Sequence, residues 1–77
     1  MRPMKTQRTH FYESHCRAAA ALHERMAARQ EEAGRPDLAR ASRETAHARR
    51  IAAEDIAQGT DVRLALEHAE WRKDQPV

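Results

Sequence analysis

Ala33-Gly34-Arg35-Pro36-Asp37-Leu38-Ala39 is the stretch whose reading decides the fold. Gly34 can adopt the left-handed conformation that closes a helix, because it has no Cβ to clash. Pro36 suits the first position of a new helix, where its missing N–H would have had no partner anyway. Asp37 then complements the positive end of the new helix dipole. A stop followed so closely by a start makes the two helices antiparallel neighbours.

Backwards from Gly34 there is no Gly or Pro until Pro3. Thr9 is the expected N-cap, with Thr6 as its competitor. Phe11, His15, Ala18, Ala19, Leu22, Met26 and Ala33 fall on one stripe at the helical repeat, which predicts a helix over about 9–33. Forwards, Leu38, Ala41, Thr45, Ala48, Ala52 and Ile56 make a second stripe, and Gly59 stands where a helix over about 36–58 would close. Thr60 or Asp61 caps a third, shorter helix over about 61–73, ended by Pro76. The turn around Gly34 resembles the turn style of helical repeat proteins such as the tetratricopeptide family. No second copy follows at that family's period of about 34 residues, so the likeness implies a local turn and no function.

Composition agrees with an all-α class. The chain has 77 residues, sixteen of them Ala, with only two Gly and 4% aromatic residues. That length allows one domain, expected over 9–74, between a flexible basic arm at 1–8 and a short tail at 75–77. Its weak point is the core, since large apolar side chains are few and Cys16 cannot form an internal disulfide alone. Two remedies are available: close helix packing through alanine, or a second copy of the chain.

The third helix favours the second copy. Val62, Ala65, Leu66 and Ala69 form one stripe, while Leu64 and Trp71, with His68 between them, lie on nearly the opposite side. A helix apolar on two sides is normally covered on both, and this one is too short to cover the hairpin. Leu64, His68 and Trp71 are therefore the candidate homodimer interface, and the hairpin end near Gly34 should project uncovered.

The net charge is only +2, with Arg supplying twelve of the fourteen basic residues. Residues 1–30 carry six basic and two acidic side chains, and residues 51–77 carry three basic and six acidic. This asymmetry suits head-to-tail or antiparallel self-association at least as well as nucleic-acid binding. No apolar run approaches the roughly 18 residues of a membrane span and no signal peptide begins the chain, so no membrane partner is expected. One cysteine among many charges points to a reduced, cytoplasmic setting. The Ala and Arg preference suggests a bacterial coding habit.

Among candidate sites, Arg40, Arg43, His47 and Arg50 recur at three- and four-residue spacing on the second helix. Such a stripe can follow a phosphate backbone. The competing reading is a solvated face whose arginines pair with Glu44 and Glu54, and no aromatic residue between Leu38 and Asp61 offers base stacking. A DNA-binding helix-turn-helix at Gln58-Gly59-Thr60 is disfavoured by Glu54 and Asp55 before the turn and by Asp61, Glu67 and Glu70 after it. Glu44 and His47 match the Glu-x-x-His spacing of ferritin-like carboxylate sites, but they lie well off the apolar stripe. His15, on the apolar stripe, is expected as a hydrogen-bonded core or interface histidine. No metal, cofactor or catalytic constellation is expected, for Ser14, His15 and Cys16 are adjacent on a helix and point apart. The expected function is non-enzymatic protein–protein interaction and self-association, of the accessory type found on bacterial plasmids and phages. A nucleic-acid-binding regulator is the alternative.

Overall fold

The computed structural model of the chain describes residues 7–73. They form three α-helices: α1 (Gln7–Glu32), α2 (Pro36–Ala57) and α3 (Val62–Lys73). α1 and α2 pack along their length as an antiparallel hairpin, and α3 folds back against α2. The molecule is elongated, with principal extents of 48 × 23 × 16 Å. No described helix is long and apolar enough to cross a membrane.

Both turns use the same device. Gly34 has φ +74°, its N–H donates to the Glu31 carbonyl at 3.0 Å, and the Arg35 N–H donates to the Gln30 carbonyl at 2.8 Å. Gly59 has φ +100°, its N–H donates to the Ile56 carbonyl at 3.0 Å, and the Thr60 N–H reaches the Asp55 carbonyl at 2.9 Å. These paired bonds satisfy helix-end carbonyls through a left-handed glycine, the arrangement expected at both positions. Pro36 opens α2, and Asp37 lies in its first turn. Arg35 occupies the cap position without a side-chain capping bond.

α1 begins at Gln7, so Thr9 lies inside the helix rather than capping it, and the last two residues assigned to the basic arm are helical. Thr6, the rest of that arm, and the tail lie outside the described residues.

The contact between α1 and α2 is made of small side chains. Cys16, Ala20 and Ala27 are buried on α1, and Ala39, Ser42, Ala46 and Ala53 on α2. Buried Ser42 donates from its hydroxyl to Gln30 Oε1 at 2.7 Å across this contact. The stripe expected on α1 is out of phase with what packs. Phe11 is 63% and Leu22 48% exposed, and His15 and Ala18 are exposed as well. One residue step round a helix is about 100°, so the buried face lies roughly that far from the face marked by the large residues.

The remaining core sits at the open end of the hairpin. Cys16, Ala48, Ala52, Ala53 and Ile56 pack with Ala65 and Ala69 of α3, and Tyr12, Val62 and Leu66 close the cluster's margin. The α3 stripe is therefore the one expected from its spacing. On α2 the expected stripe splits: Ala48, Ala52 and Ile56 are covered, while Ala41 is exposed and Leu38 is 40% exposed.

Candidate interaction surface

Leu64 and Trp71 are seven residues apart on α3, two turns on one face. Ala65 and Ala69, on the other side of the helix, are buried against α2. That phase leaves Leu64 and Trp71 turned outward, and each is 59% exposed. His68 lies between them, its ring stacked on Trp71 at 5.9 Å between centroids and 13° between planes. Its Nδ1 lies 3.4 Å from Asp55 Oδ2 on α2. The three residues named as a candidate interface thus form one apolar ridge, held at its middle by a stack and a polar contact. A shallow cleft lined by Asp55, Thr60, Leu64, Glu67 and His68 runs along its foot.

Other large apolar side chains are uncovered too: Phe11 and Leu22 on α1, and Leu38 on α2. Phe11 packs edge-on against Tyr12 and stacks on His15, with centroids at 5.5 and 6.1 Å. His15 is thus an exposed, aromatic-stacked histidine, which corrects the core half of the expected core-or-interface placement.

The arginine stripe of α2 has partners, but not the expected ones. Arg43 binds Glu31 at 2.8 Å and Arg50 binds Glu24 at 2.9 Å, both across the hairpin rather than within α2. The hydrogen bond and charge of Arg43 hold the Glu31 carboxyl below its ordinary pKa, and Glu31 in turn raises that of Arg43. Two of the four stripe residues are therefore engaged by carboxylates, while Arg40 and His47 are exposed.

Charge is balanced on the hairpin itself. α1 carries Arg8, Arg17, Arg25 and Arg29 against Glu13, Glu24, Glu31 and Glu32, and α2 carries Arg40, Arg43, Arg49 and Arg50 against Asp37, Glu44, Glu54 and Asp55. Of the excess of four bases among residues 1–30, two are Arg2 and Lys5, which precede α1, and two are offset by Glu31 and Glu32 at the end of that helix.

Cys16 is fully buried, and burial raises its thiol pKa, offset in part by the charge of Arg49. Among the described residues, no three His, Cys, Asp or Glu side chains gather where they could hold a metal ion.

No protein-family model, no curated protein and no solved structure matches this chain.

Proposed function

We propose that the chain is a small non-enzymatic protein that works through protein–protein contact, first with a second copy of itself, as a cytoplasmic bacterial accessory protein of the plasmid or phage type. The observation that carries this reading is the Leu64–His68–Trp71 ridge, with Leu64 and Trp71 each 59% exposed. Burial of a Leu and a Trp is the largest favourable term such a small chain leaves unused. Trp is also the residue type that most often anchors protein interfaces. Balanced charge on α1 and α2 lets a second copy approach without a like-charge penalty.

Light scattering behind a sizing column tests this. Twice the 8.8 kDa chain mass is expected at micromolar concentration, shifting toward one chain on dilution and in Trp71→Asp. A species of 8.8 kDa at every concentration ends the self-association reading.

A nucleic-acid-binding regulator is the weaker reading, because Arg43 and Arg50 already sit within 2.9 Å of glutamates. It requires binding that weakens steeply with salt and disappears in an Arg40/Arg43/Arg50→Glu variant.

A further inference from the structure

We propose that the two copies meet ridge to groove: the Leu64–Trp71 ridge of each α3 docks on the bare end of the partner's hairpin, beside Leu38 and Ala41. This rests on the self-association reading and names the surfaces that would meet.

The first ground is a stripe that continues past its cover. Leu38, Ala41, Thr45, Ala48, Ala52 and Ile56 follow one another at three- and four-residue steps on α2, so they share a face. α3 covers the half toward Ile56, where Ala48 and Ala52 are buried against Ala65 and Ala69. Beyond it Thr45 is half-buried, Ala41 exposed and Leu38 40% exposed. The uncovered half offers the same small-residue surface that already accepts an α3 helix. The antiparallel register set by Gln30 with Ser42 and Glu24 with Arg50 places half-buried Met26 of α1 opposite the border between the covered and the bare half.

The second ground is length. α2 has 22 residues and α3 has 12, which at 1.5 Å per residue are about 33 and 18 Å. Two α3 helices end to end therefore match one α2. A two-fold axis that places hairpin over hairpin fills the layer between them with both α3 helices, each packed on its own hairpin through Ala65 and Ala69. Each then meets the partner's hairpin through Leu64 and Trp71. Seven residues separate Leu64 from Trp71 and likewise Leu38 from Thr45, so ridge and bare stripe have one span, about 10 Å.

The third ground is charge beside the apolar contact. Exposed Glu67 lies between Leu64 and Trp71 and is bound at 3.4 Å by exposed Arg63. Exposed Arg29 follows Met26 by three residues at the bare end. The bare end thus carries both signs, with Asp37 and Glu44 of α2 exposed there as well, and docking on it avoids setting two ridges, and two copies of Glu67, face to face.

The experiment uses the full chain and two variants, a groove variant (Leu38→Asp with Ala41→Asp) and a ridge variant (Leu64→Asp with Trp71→Asp). Helical content by circular dichroism establishes that each folds; all four positions are exposed, so both are expected to. Sedimentation equilibrium should show self-association weakened roughly tenfold or more in each variant alone. An equimolar mixture should dimerise more strongly than either variant alone and more weakly than the parent, because a mixed dimer keeps one of the two ridge-to-groove contacts intact. A groove variant that dimerises like the parent overturns the ridge-to-groove proposal but leaves self-association standing. The same holds if both variants are monomeric and their mixture stays monomeric. A monomeric parent overturns both.

Discussion

The two ends of the hairpin are built from one alphabet and held in different ways. At the open end a third helix lies over α2, and Ile56, Tyr12, Val62 and Leu66 add real side-chain volume to the alanines. At the Gly34 end no third layer is present among the described residues. Ala27, Ala39 and Ala46 are buried between two backbones, joined by the Ser42–Gln30 hydrogen bond and the Arg43–Glu31 ion pair. Dispersion and apolar burial dominate the first end, because Ile56 removes a large apolar surface from water. The second relies on close approach of small residues, on one hydrogen bond of about 1 kcal/mol net and on an ion pair between solvent-screened groups. A residue at one end is therefore not equivalent to a similar residue at the other.

That contrast can be broken or sharpened by substitution. Ile56→Ala should cost the most, about 2–5 kcal/mol, because it opens a cavity under α3. In a thermal melt the midpoint should fall by roughly 10 °C or more. Leu38→Ala, the matching deletion on the same stripe at the bare end, should stay within about 0.5 kcal/mol in a monomeric sample. Equal losses would show that the two ends are not held differently.

Overpacking comes next. Ala46 is completely buried where α1 and α2 approach. Ala46→Leu should destabilise by about 1–3 kcal/mol in urea unfolding, since no space between the backbones takes three more carbons. A neutral result would mean the hairpin is looser than alanine packing implies.

Gly34→Ala isolates backbone conformation. An added Cβ would meet nothing within 4 Å, so the only cost is the left-handed φ of +74°. That cost is about 1–2 kcal/mol, read as a shift in unfolding midpoint with unchanged m-value.

The smallest effect belongs to the cross-hairpin ion pair. Arg43 lowers the Glu31 pKa in the folded state, so this pair adds stability above the ordinary carboxylate value of about 4.3 and loses it as pH falls through the lower folded value. Arg43→Gln should therefore differ slightly from the parent near neutral pH at low salt. The two should converge at about pH 2, and also in about 1 M salt at neutral pH.

Much of this architecture is legible in the residues, and what is not has a common cause. Gly34 and Gly59 announce both turns because glycine adopts the positive φ found there without a Cβ penalty, and Pro36 marks the restart. Val62, Ala65, Leu66 and Ala69 mark the packing face of α3 correctly. On α1 the large residues mislead: Phe11 and Leu22 draw the stripe toward themselves, while the helix packs through Cys16, Ala20 and Ala27. Hydrophobic periodicity weights size, and a hairpin that closes through alanine inverts that weighting. The ion pairs fail for a related reason. Glu44 and Glu54 are near Arg43 and Arg50 along α2, yet the partners are Glu31 and Glu24, which only the register between helices brings near. The ridge of Leu64, His68 and Trp71 was readable because it lies within one helix, and the uncovered Leu38–Ala41 end of the hairpin was readable because α3 is too short to reach it.

Buried Cys16 turns the molecule into its own timekeeper. The thiol lies in the cluster shared by all three helices, and its raised pKa keeps it protonated near neutrality. A labelling reagent needs a thiolate in contact with solvent, so modification of the native chain has to wait for a transient opening of that cluster. The labelling rate at excess reagent then measures how often the helices open around Cys16, with no dye or tag added. If α3 is clamped between two hairpins, that clock should slow as protein concentration rises.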